Sequence, residues 1–192
     1  MPCTEYKISF FNGGLTAKNP WIKKTTSDQK AIGDYIAKRP EDYTGKTCLH
    51  IGTGTSSIAI SHHKLFKHID GLTICPDEFK FANDLQIPNY TCYLINKHKL
   101  EELNVLGEYD VIIDNNIKTY ACCDDHYNDY FNWILASVAS RNGEIITHTQ
   151  GYYDLDNREI DSIASRVQYK TYEKPTGKFN MSIVLIKPIN PI

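Results

Sequence analysis

The chain has 192 residues, 41% hydrophobic and 23% charged, with a formal net charge of −2. That length holds one domain with a sizeable core, and the composition is that of an ordinary globular protein. The charge balance excludes a broadly basic, nucleic-acid-binding surface, and no apolar run approaches the roughly 20 residues of a membrane span.

The first 25 residues read as irregular. Their start, Met-Pro-Cys-Thr-Glu-Tyr-Lys, carries no signal-peptide pattern. Tyr6 to Phe11 is a short strand or an extended arm, and Asn12-Gly13-Gly14 and Asn19-Pro20 are turns. A helix is expected from Ser27 to Lys38, capped by Thr26 or Ser27, with Ala31, Ile32, Tyr35 and Ile36 on one face. Arg39-Pro40 ends it, and residues 43–46 connect onward.

Residues 47–57, Thr-Cys-Leu-His-Ile-Gly-Thr-Gly-Thr-Ser-Ser, organise the rest. An apolar run leads into Gly52 and Gly54, and an apolar-periodic stretch follows. This is a strand over 47–52, a tight turn, and a helix over 55–66. Gly52 and Gly54 can take dihedrals closed to other residues, and their missing side chains let a ligand touch the backbone. The helix start presents unpaired N–H groups and a positive dipole end. Such a unit at the carboxyl edge of a parallel sheet cradles a nucleotide or a carboxylate.

Strands and helices then alternate. A strand at 69–74 precedes a helix opening at Pro76-Asp77-Glu78, with proline in the first turn and acids at the positive dipole end. A strand at 90–95 precedes a short helix, Lys99 to Leu106. A strand at 109–114, Tyr-Asp-Val-Ile-Ile-Asp, precedes a helix from Asp125 to Ser140. Asn142-Gly143 closes that helix, and Glu144 to His148 forms a further strand. A helix at 157–167 leads to two strands, 168–173 and 179–187, joined as a hairpin by Pro175-Thr176-Gly177-Lys178. The pattern is α/β: a Rossmann-like, seven-stranded, mostly parallel sheet with helices on both faces and a C-terminal antiparallel hairpin. Six cysteines stand at 3, 48, 75, 92, 122 and 123, without a Cys-x-x-Cys pair. Those in strands behave as small buried hydrophobes, in keeping with a reduced, cytoplasmic protein without a metal site.

These residues resemble the class I S-adenosylmethionine-dependent methyltransferases over about 45–187. Leu49-His50-Ile51-Gly52-Thr53-Gly54-Thr55-Ser56 is similar to the family's first motif, an acid followed by Gly-x-Gly-x-Gly. Ile69 to Ala82 is similar to its second, Tyr109 to Asn116 to its fourth-strand motif, and Asn142-Gly143 to the opening of its fifth strand. Three positions depart: His50 replaces the leading acid, Ser56 the third glycine, and Thr73 the acid that closes strand two and binds the ribose hydroxyls. A carboxylate accepts hydrogen bonds from both hydroxyls of a diol, whereas one hydroxyl is a poorer acceptor. Asp70, Asp77 and Glu78 are the acids near that strand.

The resemblance implies S-adenosylmethionine as cofactor, held by His50, Gly52, Thr53, Gly54, Ser56, Thr73, Ile74, Asp114 and Asn115. Methyl transfer is an in-line displacement in which the protein positions the nucleophile, excludes water and takes a proton where needed. Asp114, His126 and His148 are the candidate catalytic residues, with Asn116, Gln150 and Tyr152 near the pocket. Residues 1–45 are expected to form an extension that caps a methyltransferase-like domain at 46–192, with Phe10, Phe11, Trp21 and Tyr43 as apolar walls. The expected substrate is a small molecule methylated on N, O or S, with neither nucleic acid nor membrane as partner. Two other functions remain open: a non-catalytic metabolite-binding relative, and a nicotinamide-dependent enzyme.

Overall fold

The computed structural model describes residues 22–118, 121, 123–149, 166–176 and 179–189, the last two segments in part as backbone. The expected strand 6–11, the helix 157–167 up to 165, and Gln150 and Tyr152 lie outside them.

Seven strands form one sheet: β1 (Thr47–Ile51), β2 (His68–Thr73), β3 (Tyr90–Leu94), β4 (Val111–Asp114), β5 (Glu144–His148), β6 (Val167–Thr176) and β7 (Phe179–Pro188), in the order β3-β2-β1-β4-β5-β7-β6. The first five run parallel, and β7 pairs antiparallel with both β5 and β6. Six helices connect the described parts: α1 (Ser27–Ala37), α2 (Pro40–Tyr43), α3 (Ser57–His62), α4 (Pro76–Asp84), α5 (Leu100–Leu103) and α6 (Asp124–Ala139).

Each buried strand is apolar on both faces, as a covered parallel sheet requires. On one face Ala31, Ile32, Tyr35 and Ile36 of α1 and Ile58 and Ala59 of α3 pack on Cys48, Ile69, Val111, Ile113 and Ile146. On the other, Tyr127, Tyr130, Phe131, Ile134, Leu135 and Val138 of α6 cover Leu49, Ile51, Leu72, Ile112 and Ile145. α1 thereby contributes to the core on this face of the sheet. Thr26 caps it by accepting from the Gln29 N–H.

The short α2 departs from the sequence expectation of a plain connector: Pro40 ends α1 but also supplies a preset φ at the first position of a new turn. α3 is six residues, shorter than expected. A Cβ on Gly143 would stand 2.5 Å from the Asp110 carbonyl, so only glycine fits the close approach that opens β5.

β1 pairs with β2 on one side and β4 on the other, so the chain changes winding direction at β1. Ligands of open α/β sheets bind in the crevice at that point, outside the carboxyl ends of the strands.

Candidate cofactor and active site

The turn after β1 holds Gly52 and Gly54 at φ values of 72° and 50°. The Gly52 and Thr53 N–H groups both donate to the Leu72 carbonyl, at 2.8 and 3.2 Å, which fixes the turn beside the tip of β2. Nothing lies within 4 Å of the place a Cβ on Gly52 would take, so the backbone there borders open space. Thr53 and Ser56 are fully buried. The Thr53 methyl occupies the space above Gly71, where a Cβ would come within 2.7 Å of it. The Ser56 hydroxyl is 3.0 Å from that of Tyr90. The side chains of these two residues face inward and anchor the turn. Ser56 sits at φ 53°, the left-handed conformation that explains a glycine at this place in related motifs.

The first turn of α1 lies against the glycine turn. Gln29 Nε2 donates to the Gly52 carbonyl at 2.9 Å, and the Thr25 and Thr55 hydroxyls are 3.0 Å apart. Asp28 Oδ2 accepts from Asn115 Nδ2 at 3.0 Å and stands 3.4 Å from His148 Nε2. Burial pushes the Asp28 carboxyl up, but hydrogen bonds from His148 and Thr26 and the His148 charge outweigh it and hold it well below the usual carboxylate range.

His50 points to the same face of the sheet. It is fully buried, and neither ring nitrogen has a hydrogen-bond partner among the described residues. Burial pushes its pKa down to about 4, against the opposing pull of Asp114 and Asp28. The folded protein thus keeps His50 neutral where the unfolded chain, titrating near 6.5, takes up a proton. Stability should fall as pH drops from 6.5 to about 4 and then stop falling on this account. At about 1.4 kcal/mol per pH unit, the loss is about 3 kcal/mol. Urea unfolding of wild type and His50→Leu at pH 7 and pH 4 checks this. The variant should lose about 3 kcal/mol less between the two, and equal losses would contradict a buried neutral imidazole.

Asp114 ends β4 and faces α6. Its Oδ2 accepts from Lys97 Nζ at 2.8 Å and from the Tyr130 hydroxyl at 2.5 Å, and its Oδ1 accepts from the Asn116 N–H at 2.8 Å. Lys97 also donates to the Asn116 carbonyl and lies 5.0 Å from the centre of the Tyr130 ring. Burial lowers the Lys97 pKa, opposed by Asp114. Burial, then the Asp114 charge, pushes the Tyr130 phenol well above its ordinary value. Asp114 thereby fixes the turn that carries Asn115, whose Oδ1 is buried without a hydrogen-bond partner among the described residues. His126, in the first turn of α6, has its Nδ1 3.2 Å from Cys123 Sγ.

At the tip of β2 the Thr73 hydroxyl donates to Glu78 Oε2 at 2.5 Å and accepts from the Cys75 N–H at 3.0 Å. Ile74 follows, half-buried. Among the described residues no His/Cys/Asp/Glu group could hold a metal ion, and no helix is long and apolar enough to cross a membrane.

No protein-family model matches the chain, and no curated protein matches its sequence. Solved structures do match its fold. The N-methyltransferase NodS from Bradyrhizobium japonicum, in complex with S-adenosyl-L-homocysteine, superposes with a TM-score of 0.66 at 8% identity, over 94% of this chain and 97% of that one. Magnesium protoporphyrin IX methyltransferase (ChlM) from Synechocystis, with bound S-adenosylmethionine, gives 0.64 at 15% identity, over 93% of each chain. An rRNA methylase from Streptococcus thermophilus gives 0.55 at 11% identity, over 87% of this chain and 99% of that one. The fold is that of the class I S-adenosylmethionine-dependent methyltransferases.

The methyltransferase fold directs attention to a crevice whose donor set fits such a cofactor. The space beside Gly52 is open, the apolar Ile74 follows β2 half-buried, and His50 and Asn115 Oδ1, at or near the ends of neighbouring strands, are buried polar groups without a hydrogen-bond partner among the described residues. The sequence reading missed Asp28, Gln29, Lys97 and Tyr130. Asp28 and Gln29 read as ordinary first-turn residues, and Lys97 sits in a loop without a motif. Tyr130 reads as one more apolar position of an amphipathic helix.

Proposed function

We propose that the chain transfers a methyl group from S-adenosylmethionine to nitrogen, oxygen or sulfur of a small molecule. The observation that carries this reading is the glycine turn at the switch point, open at Gly52 and flanked by the buried acceptors His50 and Asn115. When bound, the cofactor supplies an electrophilic methyl group.

The backbone of Gly52, Thr53 and Gly54 and the side chain of Ile74 would hold the adenosine half, with Ser56 supporting the turn. Neutral His50 and Asn115 Oδ1 would accept from the ammonium of the amino-acid half. The proton of the acceptor goes to His148 Nδ1, the ring nitrogen other than the one that faces Asp28. Asp28, 3.4 Å from Nε2, orients that ring and stabilises the imidazolium that forms. Asp114 acts by positioning, because three donors already engage its two oxygens. His126, in the first turn of α6 and 3.2 Å from Cys123 Sγ, would be a residue of the acceptor side. Of the proposed N-terminal cap, α1 is the described part, and Gln29 ties it to the glycine turn. The net charge of −2 supports a small acceptor over a nucleic acid, and the buried thiols of Cys48 and Cys92 support a reducing compartment, the cytoplasm.

Incubation with methyl-labelled S-adenosylmethionine and a panel of amines, phenols and thiols tests the reading. Wild type should label at least one class, and His148→Asn should label it roughly 100-fold more slowly. No labelling anywhere in the panel would favour the non-catalytic relative. Full activity in His148→Asn would move the base to His126.

A further inference from the structure

The tip of β2 carries a threonine where a diol-binding acid is expected, yet a carboxylate is there. Thr73 is 4% exposed and Glu78 is 8% exposed. The Thr73 hydroxyl gives its one proton to Glu78 Oε2 and receives the Cys75 N–H. It therefore has no proton left for a ligand and little accepting capacity. A ribose diol presents two donors and needs an acceptor of higher capacity.

We infer that Glu78, reaching back from the first turn of α4, takes over ribose binding; the inference rests on the methyltransferase reading above. Three observations place it. Pro76 starts α4 three residues after β2 ends, so the third helical position folds back over the strand tip. A glutamate there ordinarily returns to the N-cap N–H, but here the Cys75 N–H is taken by Thr73, and the Glu78 carboxylate is turned onto the strand tip. The Gly52 and Thr53 N–H groups bind the Leu72 carbonyl, so the glycine turn is held one residue before Thr73. Asp70 cannot serve: it accepts from the Tyr109 hydroxyl at 2.7 Å and is 3.0 Å from His68 Nε2. A carboxylate has about four acceptor positions, twice what a hydroxyl offers to a diol. Thr73 is thus a positioning residue that aims Glu78.

Calorimetry with S-adenosylhomocysteine and its 2′-deoxyadenosyl counterpart tests this. Wild type should prefer the ribose form by roughly tenfold or more. Glu78→Gln should bind S-adenosylhomocysteine roughly 10- to 100-fold more weakly, the range for a hydrogen bond to a charged group, and should distinguish the two ligands by less than about threefold. The double variant Thr73→Asp/Glu78→Gln, with the carboxylate back on the strand, should regain the preference. Glu78→Gln that binds as wild type does, or that loses both ligands equally, or a double variant that regains nothing, overturns the assignment of Glu78. Absence of binding in wild type overturns the methyltransferase reading and this inference together.

Discussion

Gly52→Ala is expected to weaken S-adenosylhomocysteine binding by roughly 100-fold or more while leaving a folded protein. The added Cβ meets no protein atom within 4 Å, so it intrudes on the crevice and nothing else. Displacing a ligand by about an ångström costs on the order of 100-fold in a pre-organised site. Alanine at φ 72° also costs about 1 kcal/mol or somewhat more of stability. Gly54 is a poorer test. It is buried at φ 50°, and a β-branched residue there strains the core turn as well as the crevice. Affinity comes from calorimetry and stability from urea unfolding of the same samples. A variant that loses about 1 kcal/mol of stability and keeps its affinity would remove the cofactor from this turn.

Asp114→Asn should cost about 3–5 kcal/mol of stability, the range for removing one partner of a buried ion pair. The side chains of Asp114 and Lys97 are 2% and 12% exposed. The amide leaves the ammonium and the Tyr130 hydroxyl around a neutral group. Lys97→Met should be destabilising by itself, and Asp114→Asn/Lys97→Met should recover much of the loss, because the double variant removes the buried charge altogether. Additive losses in the two single variants would mean that the pair is not coupled. Asp114→Asn with a loss below about 1 kcal/mol would mean that the carboxylate is held by water rather than by Lys97, and available for chemistry.

The fold was legible because its signals are local and in order. The glycine turn, Pro76 at a helix start, the apolar run Val111-Ile112-Ile113 and Asn142-Gly143 each place an element within one or two residues. The ends of α3 and α5 were overextended, since apolar spacing continues past the point where the backbone leaves the helix. At the candidate site, sequence reading pointed to residues that lie at or near strand ends: His50, Asp114 and His148. It missed their partners, because the contacts span 16 to 120 residues and carry no periodic signature. Asp28 meets His148, and Lys97 meets Asp114, through the crossovers of the sheet. Glu78 lies close to Thr73 in sequence, but only the direction of α4 shows that its carboxylate returns to the strand. Fold alone does not establish the reaction, and at 8–15% identity the solved structures speak to fold.

The most direct test is a calorimetric titration of the wild-type protein with S-adenosylhomocysteine, checked by thermal melting against nicotinamide dinucleotides. One-site binding in the micromolar range is predicted. With ligand at about 100 times the dissociation constant, stability should rise by about 2.7 kcal/mol, and Tm by several degrees. No heat and no shift at millimolar S-adenosylhomocysteine, or a shift with a nicotinamide dinucleotide instead, would contradict the account.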